Sequence, residues 1–134
     1  MRLKGVRIYP WPKAIAVITL FVEDVGAARR FYQDVFGLPV HFEDEDSVVF
    51  VFGETRINLL RTEVAPELIA PAVVASPSAG ARGEFTLEVD DVDAMCARLT
   101  AQGVELLNGP MDRPWGIRTA SFSDPGGHIW EIAH

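Results

Sequence analysis

The chain has 134 residues, 49% of them hydrophobic and 10% aromatic, enough apolar material for one domain with a packed core and too much for a disordered chain. Twelve Lys and Arg against 19 Asp and Glu leave a net charge of −7, which repels phosphate and argues against nucleic acid or an anionic membrane as partner. The single cysteine, Cys96, excludes an internal disulfide and a Cys-based zinc site.

The opening MRLKGVRIYPWPK lacks the apolar run and small-residue cleavage site of a secretory signal, and no stretch reaches the roughly 18 apolar residues of a spanning helix. A cytoplasmic, membrane-free protein is expected. The first strong element is Thr19-Leu-Phe-Val-Glu-Asp-Val25, which returns as Thr86-Leu-Glu-Val-Asp-Asp-Val92 with five of seven positions identical. Each copy leads into a helical pattern. Residues 26–36 place Ala27, Phe31 and Val35, or Ala28, Phe31, Tyr32 and Val35, on one face; residues 93–102 place Met95, Cys96 and Leu99 on one face. Asp24 and Asp91 stand where N-caps belong, and Gly37 and Gly103 where a helix ends.

Strands follow each helix, over 40–43, 48–52 and 56–60 in the first copy and 104–107, 117–123 and 129–133 in the second, with turns at Gly53-Glu54 and Pro125-Gly126-Gly127. The order is βαβββ twice, in one domain over 14–134: a first module over 14–62 and a second over 84–133. The Ala-, Pro- and Ser-rich stretch 63–83 joins them as a linker, and its length admits a lid, a bridge to another subunit or a plain connector.

Alternation along the strands separates two faces. Ile18, Leu20 and Val22, then Ile57 and Leu59, then Phe85, Leu87 and Val89, then Trp130 and Ile132 read as helix-side; Thr19, Phe21, Asn58, Leu60, Glu84, Thr86, Ile129 and Glu131 fall on the other face. A carboxylate between Trp130 and Ile132 is thereby explained, because Glu131 lies on the second face. That mixture of apolar walls with a few polar groups suits a ligand pocket; a solvated sheet face is the plainer alternative.

The motifs Leu20-Phe-Val-Glu-Asp24, Phe36-Gly-Leu38, Glu84-Phe-Thr-Leu-Glu-Val-Asp-Asp-Val92, Arg113-Pro-Trp-Gly116 and Asp124-Pro-Gly-Gly-His-Ile-Trp-Glu131 make the chain resemble the vicinal oxygen chelate superfamily of glyoxalase I, extradiol dioxygenases, fosfomycin-resistance enzymes and bleomycin-binding proteins. The resemblance spans about 15–133 and implies an α+β fold in which two paired βαβββ modules form a cupped mixed sheet. It further implies a homodimer and metal-ligand positions at Val17, Asn58, Glu84 and Glu131. The internal repeat pairs Val17 with Glu84 and Asn58 with Glu131 independently.

Valine cannot ligate, and no histidine falls at these positions, so no cofactor is expected; two carboxylates and an amide leave a hard divalent ion, weakly held by Glu84 and Glu131, as the alternative. His128 reads as a turn residue. The expected site has Glu84 and Glu131 as acid and base, with Phe21, Phe52, Asn58, Trp115, Arg118 and Phe122 around a small-molecule ligand. The family resemblance favours a glyoxalase- or bleomycin-resistance-like protein with lyase or isomerase chemistry; the alternative is a non-catalytic binder that sequesters an antibiotic or senses a metabolite.

Overall fold

The computed structural model describes residues 2, 3, 6, 7 and 10–134, so the opening charged segment falls partly outside the described residues. Arg2–Leu3 and Val6–Arg7 form a short antiparallel pair. The first module runs β1 (Val17–Val22), α1 (Val25–Phe36), β2 (Val40–Glu43), β3 (Ser47–Phe52) and β4 (Thr55–Arg61); the second runs β5 (Glu84–Glu88), α3 (Val92–Ala101), β6 (Leu106–Asp112), β7 (Arg118–Ser123) and β8 (Ile129–Ala133). Between them lie a 3-10 turn (Thr62–Val64), the four-residue α2 (Pro66–Ile69) and a second 3-10 turn (Pro77–Ala79).

Each module forms its own four-stranded sheet, in the orders β1-β4-β3-β2 and β5-β8-β7-β6. In both, the first strand lies parallel to the last, and the remaining neighbours are antiparallel. The fold is α+β with two mixed sheets, as expected, and the repeat seen in the sequence is a repeat of topology.

The helix boundaries follow from their caps. Asp24 Oδ1 accepts the Ala27 amide at 3.0 Å and Asp91 Oδ1 the Ala94 amide at 3.0 Å, each satisfying a donor left over in the first turn. Gly37 ends α1 at φ 69°, a left-handed conformation that glycine adopts without strain. Ala28 and Tyr32 are buried on α1 and Val92, Cys96 and Leu99 on α3, so of the two faces open for the first helix the one through Ala28 packs inward.

The two modules share one core, and they meet by their helix sides. Phe36 and Phe52 of the first module pack on Trp130 of the second at ring-centroid distances of 5.0 and 5.4 Å, and Phe31 lies 6.3 Å from Phe122. Burial of Leu20, Val22, Val48, Phe50, Ile57 and Leu59 on one side and of Ala120, Phe122, Trp130 and Ile132 on the other shows the same arrangement. Helix-side packing therefore leaves the other face of each sheet looking outward from the common core.

A polar chain crosses this interface. Trp130 Nε1 donates to Tyr32 Oη at 3.1 Å, and Tyr32 Oη donates to Asp124 Oδ2 at 2.7 Å. Burial, reinforced by the neighbouring Asp124 carboxylate, raises the Tyr32 phenol far above its ordinary pKa and keeps it a donor. Asp124 also accepts the backbone amides of Gly126 (2.9 Å) and His128 (2.8 Å), and His128 Nδ1 lies 2.9 Å from it. His128 is thus the turn residue that the sequence indicates.

The sequence places the strand β6 at 104–107, but it runs over Leu106–Asp112. Its register with β7 shifts between Leu106 and Asn108 and again between Asn108 and Met111, so Gly109 and Pro110 are carried in an irregular stretch of an edge strand, where a missing ladder donor is tolerated. Gly109 has φ 86°, and a Cβ there would meet the Thr119 carbonyl oxygen and, at 2.8 Å, Ala120 Cα. Since both are backbone atoms of the neighbouring strand, Gly109→Ala is expected to cost about 2–4 kcal/mol, read as a lowered urea midpoint.

Candidate functional site

The parallel register of β5 and β8 places Ile129 beside Glu84 and Glu131 beside Thr86. Glu84, Thr86, Ile129 and Glu131 accordingly share the outward face of the second sheet. Thr86 Oγ1 donates to Glu131 Oε1 at 3.0 Å, which fixes one carboxylate against its neighbouring strand. On β7, Ser121 sits opposite Glu131. Thr119 lies on the same side, buried under Arg113, whose Nε donates to Thr119 Oγ1 at 2.8 Å and whose Nη2 donates to Asn108 Oδ1 at 2.6 Å.

Two carboxylates and one guanidinium thus gather on one open face. Glu84 binds its proton more tightly than an ordinary glutamate: burial is the first cause and the charge of Glu131 the second, with Arg113 acting in the opposite direction. This shift has a consequence for stability. The unfolded carboxyl titrates near 4.3 (roughly) and the folded one above it, so between these values the native chain binds more protons and stability falls as pH rises through that window. Glu84→Gln removes the fall. It is expected to be more stable than the parent at neutral pH by thermal melting, with the difference vanishing below about pH 4.

The first sheet repeats this geometry in weaker form. Asn58 lies beside Thr19 in the parallel β1–β4 register and donates from Nδ2 to Thr19 Oγ1 at 3.4 Å, the counterpart of the Thr86–Glu131 bond. Asn58 Oδ1 is buried without a hydrogen-bond partner. Val17, 48% exposed, begins β1, the strand of Thr19. Asn58 is therefore on a different sheet from the carboxylates, and the structure brings Glu84 and Glu131 together without it.

Three expected ligand contacts require correction. Phe122 is 1% exposed and belongs to the core between the modules. Phe52 faces the helix side, stacked on Trp130 and edge-on to Phe36. Arg118 shares that side of β7: it donates to Asp93 Oδ1 at 2.9 Å and Asp112 Oδ1 at 3.1 Å and so ties the first turn of α3 to β6. Alternation along β7 assigns all even positions to one side, which separates Arg118 and Phe122 from Thr119 and Ser121. Trp115 is 69% exposed in the loop between β6 and β7, and Phe21 is half-buried on the edge strand β1. Thr86, Thr119 and Asn108 were missed as site residues. Their signal was present for Thr86, which the repeat aligns with Thr19.

Within one chain this donor set is too sparse for a metal centre. Of the four positions at which the family would place ligands, Val17 offers no donor atom, Asn58 sits on the other sheet with its amide turned to Thr19, and Glu131 Oε1 is engaged by Thr86. Among the described residues no group of three or more His, Cys, Asp and Glu converges.

The model of the Glyoxalase/Bleomycin resistance protein/Dioxygenase superfamily matches residues 14–132. The uncharacterized protein YraH of Bacillus subtilis is 35% identical over 120 residues, which cover 86% of this chain and 93% of that protein. A glyoxalase/bleomycin resistance protein/dioxygenase from Nocardioides superposes with a TM-score of 0.82 at 25% identity, covering 94% of this chain and 85% of its own. Lactoylglutathione lyase from Agrobacterium tumefaciens gives a TM-score of 0.75 at 25% identity, covering 91% and 93% of the two chains.

Proposed function

The chain belongs to the Glyoxalase/Bleomycin resistance protein/Dioxygenase superfamily, and from that premise we propose that it acts on a small organic carbonyl compound by proton transfer at the face bearing Glu84 and Glu131, without a metal in the reaction. The observation that carries this reading is the carboxylate pair itself: two glutamates on adjacent parallel strands, one of them with raised proton affinity. A base poised nearer neutrality than a free glutamate can remove a proton beside a carbonyl and return it elsewhere, the step common to isomerases and many lyases. Arg113, anchored by Thr119 and Asn108, supplies a fixed cation for the oxyanion that forms. Likeness to a lyase supports the same reaction class.

The site in this reading is completed by a second copy. Because the modules of one chain meet by their helix sides, the carboxylate face and the Asn58 face both look outward; a homodimer in which one protomer's first sheet meets its partner's second sheet would enclose the ligand between the two faces. The solvent-exposed Trp115 favours a second reading, sequestration of a planar cation by an aromatic side chain on an acidic protein.

Hydrogen–deuterium exchange separates the two. Chelator-treated protein in D2O, screened by NMR against a panel of small 2-hydroxy and 2-oxo carbonyl compounds, is expected to exchange the proton beside the carbonyl of at least one. Binding of a cationic aromatic dye with Trp quenching, and no exchange across the panel, would transfer the case to sequestration.

A further inference from the structure

Next to Glu84, but without its side chain or that of Glu131 in the lining, a cleft of about 510 Å3 opens between the edge strand β1, the linker strap 73–83 and the turn that precedes β8. Its walls are mainly apolar, with Phe21, Val74, Phe85 and Ile129 among them, and the strap is seated on the turn so that a Cβ on Gly127 would lie 3.6 Å from Pro77 Cβ. The volume lies within the range of small-molecule sites. One polar ring faces this space. His128 lines the cleft, and its Nδ1 is 2.9 Å from an Asp124 carboxylate that already receives Tyr32 Oη and two backbone amides. With every other partner of that carboxylate a donor, Nδ1 carries the hydrogen, and in the neutral ring Nε2 is an acceptor. Nε2 has no hydrogen-bond partner among the described residues. At the rim Glu23 and Arg82 carry opposite charges, which gives no preference for a charged ligand.

We propose that this cleft is a second binding site, for a small neutral molecule with an apolar body and one hydroxyl or N–H donor received by His128 Nε2. The buried Asp124 fixes the ring's tautomer and tilt in advance, so the acceptor is in place before the ligand arrives. Gly126 adds a reason for its own identity, since a Cβ there would lie 2.9 Å from His128 Cε1 and 3.3 Å from Val22 Cγ1 and would displace the ring.

The test uses the full chain and two probes that differ in a single donor, p-cresol and 4-methylanisole, followed by NMR titration. Saturable p-cresol shifts at Val74, Phe85 and the His128 ring are expected, with 4-methylanisole about tenfold weaker, the size of one hydrogen bond. His128→Phe should bring the two probes to similar affinity. Because that change also touches Asp124, Ala75→Trp on the exposed strap, with an unchanged circular dichroism spectrum, is the second variant; it should abolish binding by filling the cleft. Equal affinity for both probes in the parent chain, p-cresol shifts centred on Glu84 and Glu131, or the absence of saturable shifts would overturn the proposal.

Discussion

Asp124→Ala is expected to cost about 3–5 kcal/mol of stability, a large part of the 5–15 (roughly) that a domain of this kind possesses. The carboxylate is 4% exposed and takes four donors: the Tyr32 phenol, the amides of Gly126 and His128, and the His128 ring. Alanine leaves all of them without their acceptor in a space closed to water, and each unsatisfied donor carries a penalty of about 1–3 kcal/mol before relaxation. The loss is also structural in a specific sense, because Tyr32 belongs to α1 of the first module and Asp124 to the turn of the second. Tyr32→Phe removes one of those donors together with the acceptor of Trp130 Nε1, at a smaller cost of about 1–3 kcal/mol. The two changes share a bond, so the double variant should be more stable than the sum of the singles implies. Urea unfolding, with midpoints compared at unchanged slope, checks all three.

The second large effect is on the proposed reaction. Glu84→Gln keeps the shape of the side chain but cannot take a proton, and is expected to lower the exchange rate by about 10²–10⁴-fold, the range for loss of a positioned base. Glu131→Gln should act differently. The charge of Glu131 is one cause of Glu84's raised proton affinity, so its removal should move the acidic, rising limb of the pH profile to lower pH while a substantial rate persists above it. Rate against pH for both variants distinguishes a base from the charge that tunes it; equal losses at every pH would show that neither assignment holds.

Much of this arrangement is legible in the chain. The repeat of Thr19-Leu-Phe-Val-Glu-Asp-Val25 in Thr86-Leu-Glu-Val-Asp-Asp-Val92 gives the topology, the caps at Asp24 and Asp91 fix where both helices begin, and period-two alternation assigns Glu84 and Glu131 to one face. Alternation sorts side chains within a sheet, however, and is silent on which faces of two sheets meet. Phe52 was therefore read as a cup wall when it seals the core against Trp130. Arg118 follows Trp115 closely in sequence and so reads as a ligand contact, whereas its place on β7 turns it to Asp93. Gly109-Pro110 punctuates the sequence as a break, yet the edge strand carries both through a shift in register. In the linker, Pro66 opens a single helical turn too short for any periodicity to register.

The claim on which the functional account rests is that Glu131 and burial together raise the proton affinity of Glu84 on an open face shared by both. Carboxyl 13C NMR of Glu84, titrated in the parent chain and in Glu131→Gln, measures that directly and needs no substrate. The account predicts a midpoint above that of an ordinary glutamate in the parent and a shift downward in the variant. An ordinary midpoint, the same in both proteins, would contradict it.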